Sequence, residues 1–182
     1  MKMFLINIGL VSLLIACAPQ VDESAEEVTI PESSVYDMLK VQNPFNVVFD
    51  LEQQDAEYLL KVTMQLEEGS YYASPHSNND FLGLFNIELD QEVELVLLDE
   101  WLESPRSVEE FDEIARCNVN WVREETTYSN KIAVNNPNDF KVGGTVSFVV
   151  EPSCNRYEVT FDLIQETGNL RVEKKETIMA NL

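Results

Sequence analysis

Three cysteines and a single histidine offer the widest choice of chemistry in this chain of 182 residues. Cys17, Cys117 and Cys154 could be acylated, oxidised to a disulfide or used in thiol exchange, because the thiolate is a strong nucleophile. His76 stands alone, so a histidine-dependent triad elsewhere and a typical zinc site both lack residues. No phosphate loop, basic stripe or paired-carboxylate motif occurs. The composition favours a protein that is not an enzyme, without metal or cofactor.

Cys17 follows a short apolar run at the start of the chain. Residues 4–16 are nearly all apolar, and this run is shorter than the roughly 20 residues that span a bilayer. Its length is typical of a signal peptide. The order Leu14-Ile15-Ala16-Cys17 resembles the lipobox of bacterial lipoproteins, which implies cleavage before Cys17 and acylation with fatty acids such as palmitate. The alternative is an ordinary secretory signal with an incidental cysteine.

The chain is strongly acidic, with 33 Asp and Glu against 12 Lys and Arg and a net charge of −21. Cleavage before Cys17 also removes Lys2, which leaves eleven basic residues against the same thirty-three acidic ones, a net charge of −22. Nucleic acid and anionic lipid headgroups repel such a chain. Nucleic acid is therefore not expected as a partner, and we expect membrane contact only through the N-terminal lipid.

The residues after Cys17 bear on location and on domain boundaries. Asp directly after the acylated cysteine favours inner-membrane retention in bacterial lipoproteins, and Ala18 stands there instead. We therefore expect the outer membrane of the cell envelope, on its periplasmic or surface face. Acidic residues and prolines make residues 17–34 a solvated tether. The predicted organisation is a signal peptide at 1–16, the tether at 17–34 and one domain at 35–182.

Alternation of apolar and polar residues dominates the predicted domain. Its cleanest example places polar residues between four apolar ones: Tyr157, Val159, Phe161 and Leu163. Eight or more short segments of this kind are separated by turn residues, among them Gly168-Asn169 in a predicted tight hairpin. The pattern predicts an all-β, antiparallel sandwich, because parallel strands would need long helical crossovers.

One short helix is predicted over Val108–Arg116. Ser107 and Glu110 form a capping-box pattern at its start. On a helix, three apolar residues would share one face: Phe111, Ile114 and Ala115. We expect this helix to cover an end of the sandwich.

Several segments occur in a recognisable order: Val41–Pro44, Glu57–Leu66, Glu68–Pro75, Glu103–Pro105, Thr127–Val134, Val142–Phe148 and Cys154 with the strand after it. This order, over residues 41–164, resembles the immunoglobulin-like N-terminal domain of the DsbD thiol:disulfide interchange reductases. The resemblance implies an immunoglobulin-like β-sandwich. It also implies a role in periplasmic thiol–disulfide exchange or cytochrome maturation.

The chain departs from that family at the redox centre. The family carries two cysteines near the segment that corresponds to Val146–Val150. Cys154 matches the second of them, but Glu151 stands where the first is expected. The Trp-His pair that follows a glycine in the family is replaced by Ser70 and Tyr71. The resemblance therefore concerns the scaffold, and the family's redox centre is expected to be absent.

Acylation of Cys17 would leave Cys117 and Cys154 as the thiols of the mature chain. In an oxidising compartment an even pair usually forms a structural disulfide, worth about 4 kcal/mol on the chain-entropy account. We predict that bond. Two separate thiols are an alternative, and so is a reversible redox pair, although no neighbouring base or helix N-terminus would lower a thiol pKa.

Aromatic residues supply the candidate binding residues: Tyr71, Tyr72, Phe81 and Trp101. Their two possible roles are core packing and an exposed recognition patch. Oxygen ligands for calcium could come from Asn78-Asn79-Asp80 and Asp99-Glu100, but the spacing is not that of an EF-hand, and we predict no metal site.

Three classes of function fit this sequence. The first is a lipid-anchored, non-catalytic module that binds or assembles with another envelope protein. The second is an accessory in periplasmic thiol–disulfide exchange or cytochrome maturation. The third is a carbohydrate or calcium-dependent ligand binder. The first is favoured because no catalytic constellation is present and the tether is long, and fold alone does not choose among them.

Overall fold

The computed structural model describes residues 43–77, 83–90 and 93–180, which lie in a single compact unit. Cys17, Phe81, the predicted signal peptide and tether, and Asn78–Asp80 fall outside the described residues. Twelve strands occur within them: β1 (Phe45–Gln54), β2 (Glu57–Leu66), β3 (Tyr72–Ala73), β4 (Asn86–Leu89), β5 (Leu95–Leu97), β6 (Leu102–Ser104), β7 (Val108–Asp112), β8 (Cys117–Val122), β9 (Thr126–Val134), β10 (Phe140–Val150), β11 (Asn155–Glu166) and β12 (Asn169–Ala180).

The strands form three sheets in which every pair is antiparallel. The first has the order β1-β2-β9-β5, with β6 also pairing with β9, and the second has the order β12-β11-β10-β4. The third and smallest has the order β3-β8-β7. The predicted all-β antiparallel sandwich is therefore confirmed. None of the described residues belongs to a helix long and apolar enough to cross a membrane.

One apolar core joins the two larger sheets. Phe45 of β1 meets Phe148 of β10 and Tyr157 of β11 edge to face, with ring centroids 4.7 Å apart in both cases. Phe49 lies at the same centroid distance from Phe161. Each buried aromatic side chain of this size contributes about 1.5–3 kcal/mol to folding. The inward residues are those that the alternation pattern had placed on one face of each strand.

Two positions in the sheet that contains β10, β11 and β12 require glycine. Gly144 lies opposite Phe161 in the ladder, and a Cβ at this position would be 2.4 Å from the ring of Phe161. Gly168 follows Thr167 in the turn between β11 and β12. Both residues have a positive φ, 51° for Thr167 and 82° for Gly168. Two positive φ values are typical of a type I′ hairpin turn. The turn residues are therefore Thr167-Gly168, one position earlier than predicted.

The predicted helix over Val108–Arg116 is wrong, because the segment forms strand β7 and the loop of a hairpin. β7 pairs with β8 from Val108↔Trp121 to Asp112↔Cys117. A helix of this length is unstable without a buried apolar face, whereas the strand gains a hydrogen-bonded ladder with β8. The hairpin projects as the outer part of the third sheet.

Candidate functional site

The β7–β8 hairpin exposes a group of apolar side chains. Val108, Phe111 and Ile114 are 79%, 63% and 97% exposed. Scattered exposed apolar residues are ordinary, but these three lie within seven residues of one hairpin, with Val108 and Phe111 on opposite faces of β7. This hairpin is therefore the candidate functional site.

The loop at the tip of the hairpin is held by one aspartate. Oδ1 of Asp112 accepts hydrogen bonds from the backbone N–H groups of Ile114 (2.8 Å) and Ala115 (2.7 Å). The backbone C=O of Asp112 accepts a third from Arg116, at 2.8 Å. Arg116 has a φ of 55° and turns the chain into β8. These bonds fix Ile114 at the tip with its side chain in solvent.

One face of the third sheet packs as a small second core. Val119 and Trp121 of β8 lie there with Ala73 of β3. The ring of Tyr71 meets the Trp121 ring edge to face at 5.0 Å, and the Arg123 guanidinium lies 5.0 Å from the centre of the Tyr71 ring. This packing fixes β8, so that β7 is presented on a rigid neighbour.

A groove of about 340 Å³ lies at the base of the hairpin. Its lining includes Val108 of β7, Trp121 of β8 and Pro105 from the corner between β6 and β7. Glu110 and Arg123, which form an ion pair, line it as well. Apolar and charged side chains thus line this groove together, a mixture that suits part of a polypeptide.

The base of the hairpin is held by a buried carboxylate. The side chain of Glu103 in β6 is 1% exposed. Its Oε2 accepts a hydrogen bond from the hydroxyl of Ser74 at 2.5 Å, and its Oε1 accepts one from the backbone N–H of Ser107 at 2.8 Å. Nε2 of His76 lies 3.6 Å from Oε2. Glu103 thus joins the segment after β3 to the residue that precedes β7.

Two buried tyrosines lie beside this carboxylate. The hydroxyls of Tyr72 and Tyr128 are hydrogen-bonded at 3.2 Å. Burial is the main cause that raises the pKa of Tyr72 and of Tyr128, and the charge of Glu103 raises both further. Both phenols are therefore neutral at physiological pH and act as hydrogen-bonding core residues.

This polar cluster is not accessible to a substrate. Ser74 is fully buried, so its hydroxyl cannot reach an external carbonyl or phosphoryl group. The adjacent cavity, lined by Phe85, Trp101 and Tyr128, measures about 30 Å³, which is the space of about one water molecule. These buried contacts hold together the chain segments that meet at Glu103.

Cys117 and Cys154 are both free thiols in the structure, which therefore does not contain the predicted disulfide between them. Cys117 pairs with Asp112 at the tip end of β8. It lies five residues from Val122, or about 17 Å along the strand, and Val122 pairs with Tyr72. Cys154 lies in the β10–β11 turn, three residues after Glu151. A disulfide requires Cα atoms within about 7 Å.

The environment of Cys154 does not activate its thiol. The side chain is exposed, and its Sγ donates a hydrogen bond to Oε2 of Glu151 at 3.1 Å. That hydrogen bond and the negative charge of Glu151 raise the pKa of the Cys154 thiol. A raised pKa lowers the thiolate fraction at neutral pH, so the thiol is a poor nucleophile there.

The structure separates the predicted aromatic binding residues. Tyr71 is half-buried and its backbone bridges Glu151. Tyr72 is fully buried in the main core, so its interpretation as a binding residue is wrong. Trp101 is half-buried against the same core. Phe81 lies outside the described residues.

Of the possible oxygen ligands for calcium, Asn78–Asp80 lie outside the described residues. Asp99 and Glu100 are exposed. Within residues 43–77, 83–90 and 93–180, no group of three or more His, Cys, Asp or Glu side chains converges on one point.

Sequence reasoning missed both parts of the site. The predicted helix places Phe111 and Ile114 on its buried face, whereas the structure exposes them on a hairpin. The segment Glu103–Pro105 forms part of the family resemblance, but the sequence does not indicate that Glu103 is buried, because its donor Ser74 lies 29 residues earlier in the chain. The alternation at Val119 and Trp121 predicts a strand there. Because a strand must pair with another, this pattern could have indicated that a neighbouring segment such as Val108–Asp112 is also a strand.

Comparison with known proteins gives one structural match. No family model matches the chain, and no curated protein matches it. The chain is similar to the N-terminal domain of DsbD from Neisseria meningitidis in its reduced form, with a TM-score of 0.44 and 15% sequence identity. The match covers 78% of this chain and 98% of that one. It is the family that the order of segments resembles, and it concerns the fold alone.

Replacing Glu103 should destabilise the protein. Glu103→Ala leaves the Ser74 hydroxyl and the Ser107 N–H without their acceptor, so we expect a loss of about 2–4 kcal/mol in the free energy of unfolding. The exposed Glu109→Ala is the control and should change it by less than about 0.5 kcal/mol. Urea denaturation measures both. Equal stability of the two variants would contradict the role of Glu103.

Removing the charge of Glu151 should activate Cys154. In a Cys117→Ser background, Glu151→Gln removes the carboxylate that raises the thiol pKa, so alkylation by iodoacetamide should accelerate at pH 7.5. The rate profile should also shift to lower pH. Mass spectrometry of the alkylated peptide follows the rate. An unchanged profile would show that Glu151 does not control this thiol.

Proposed function

We propose that this protein is a lipid-anchored protein of the cell envelope whose β-sandwich binds another envelope protein without catalysing a reaction. The observation that carries the proposal is the β7–β8 hairpin, which holds Val108, Phe111 and Ile114 in solvent. Exposed aromatic and aliphatic residues on a rigid base are typical of the centre of a protein interface. The partner is therefore a protein.

The lipid anchor rests on the sequence around Cys17. Fatty acyl chains contribute about 0.8 kcal/mol for each buried methylene group, so several of them hold a protein on a membrane for long periods. A chain with a net charge of −21 has no electrostatic attraction to anionic lipid. Ala18 after the cysteine favours the outer membrane. The acidic tether would let the domain reach a partner away from the membrane surface.

The absence of catalysis is supported by the described polar groups. Ser74 is fully buried beneath Glu103. The exposed thiol of Cys154 has a raised pKa. A nucleophile needs both access and activation, and each of these residues lacks one of the two.

A thiol–disulfide accessory is the second candidate. It is favoured by one observation, the exposed free thiol of Cys154. Reversible exchange within one chain needs a second thiol in contact, and Cys117 lies at the far end of β8. Exchange through Cys154 would thus have to be a mixed disulfide with a partner, at a rate limited by its raised pKa.

Loss of the acylated cysteine should release the protein from the membrane. Cys17→Ser cannot be acylated, so the protein should lose labelling by an alkyne-tagged palmitate and leave the membrane fraction. Cys117→Ser is the control and should remain membrane-bound and labelled. Fractionation with and without carbonate washing measures this. A Cys17→Ser protein that stays on the membrane would contradict the anchor.

A photo-reactive residue on the hairpin should capture the partner. With a benzophenone amino acid in place of Phe111, irradiation of intact cells should give an adduct of one discrete mass. The same substitution at the exposed Glu173 of β12 is the control and should give none. Adducts at both positions, or at neither, would contradict binding through the hairpin.

A further inference from the structure

We propose that the outer edge of β7 binds an extended, basic segment of the partner as an added β-strand. This inference rests on the proposed function and names the chemistry of the partner. It depends on three observations: the direction of the backbone groups of β7, the charge of its side chains, and the side chains presented on its two faces.

The backbone groups of β7 that point outward follow from the hydrogen bonds of β8. The N–H of Asn120 donates to Oγ of Ser77 at 2.8 Å, and its C=O accepts from the N–H of Ser74 at 2.9 Å. Both groups therefore point away from β7. Asn120 lies opposite Glu109, and such a pair in an antiparallel ladder is not hydrogen-bonded.

The N–H and C=O of Glu109 must then point away from β8, and by alternation those of Phe111 do the same. β7 is the last strand of its sheet, and in the described part of the chain no strand pairs with this edge. Its first four residues are exposed. The edge thus presents two donors and two acceptors in the spacing of a β-ladder, as peptide-binding sheet edges do.

Charge selects the occupant of this edge. β7 has the sequence Val-Glu-Glu-Phe-Asp, with three acidic residues and no basic one. If a second copy of the chain paired through its own β7, the carboxylates of the two strands would face each other. Like charges on facing strands are destabilising. The net charge of −21 opposes self-association further. A segment rich in Lys or Arg has the opposite charge and is therefore favoured.

The side chains of β7 also define a pattern for the added strand. Val108 lies on the face that carries Trp121 and the groove of about 340 Å³. Phe111 lies on the opposite face. Apolar residues of the partner would face Val108 and Phe111, and a basic residue would face Glu109. Further basic residues would face Glu110, which also pairs with Arg123, and Asp112, whose Oδ1 also holds the loop. In the antiparallel direction this pattern is basic-apolar-basic-basic-apolar.

The test uses a fluorescent synthetic peptide, Lys-Val-Lys-Lys-Val between glycine–serine flanks, and the full chain in non-ionic detergent at low ionic strength. A matched peptide carries Glu in place of every Lys. Anisotropy should show binding of the lysine peptide at least about tenfold tighter than the glutamate peptide. N-methylation of alternate peptide nitrogens should weaken binding by about tenfold, because it removes the ladder donors.

Two variants at position 109 distinguish the contribution of the side-chain charge to binding from that of the backbone N–H. Glu109→Gln removes one charge, whereas Glu109→Pro removes the charge and the outward N–H but no bond to β8. We expect the proline variant to bind more weakly than the glutamine variant. Glu176→Gln on β12 is the control and should bind as the unaltered chain does.

Equal binding of the two peptides, no binding at millimolar concentration, or no effect of N-methylation would overturn the inference. N-methylation is on the peptide, so this result is independent of whether the proline variant folds. If the peptides fail while the photo-reactive residue at position 111 still captures one protein, the proposed function stands and the strand-addition inference is wrong. If self-association appears instead, the partner is a second copy and the inference is also wrong.

Discussion

The buried carboxylate of Glu103 is the interaction on which the candidate site depends. A charge whose side chain is 1% exposed must replace its lost hydration with hydrogen bonds. Ser74 supplies one donor from the segment after β3, and Ser107 supplies the other from the residue before β7. Because the donors come from separate parts of the chain, satisfying this carboxylate also fixes where the hairpin leaves the sandwich.

The residues that stabilise the fold and the proposed binding surface therefore lie in different parts of the molecule. The two larger sheets bury the aromatic core around Phe45, Phe148 and Tyr157. The hairpin buries little of β7 and relies on β8, which packs through Trp121. Such an arrangement allows the exposed residues of β7 to vary without loss of the fold. It also explains how an acidic, exposed edge can persist on a stable domain.

Whether a strand could be predicted from the sequence depends on whether one of its faces is buried. Alternation predicted strands such as β11, because Tyr157 and Phe161 must point into the core while their neighbours face solvent. The rule fails for β7, whose residues are exposed on both faces and show no period of two. The residues around Phe111 then fit a helix pattern equally well.

Contacts between residues far apart in the chain also could not be predicted from the sequence. The pairing of Cys117 with Cys154 is predicted from the number of cysteines and the compartment, whereas the structure holds both as free thiols, Cys117 at the start of β8 and Cys154 in the β10–β11 turn. In the sequence Glu103 belongs to the Glu103–Pro105 segment, and its neighbours there do not indicate that it is buried. Its burial depends on Ser74 and Ser107 meeting in space, which no local pattern encodes.

We propose the outer edge of β7 as the surface through which this acidic sandwich recognises its partner. Residue-resolved amide hydrogen exchange of the full chain, with and without the lysine peptide, tests it most directly. The account predicts new protection at the amides of Glu109 and Phe111, which point outward, and little change at Val108 and Glu110, which already bond to β8. Protection elsewhere, or none at Glu109 and Phe111, would contradict it.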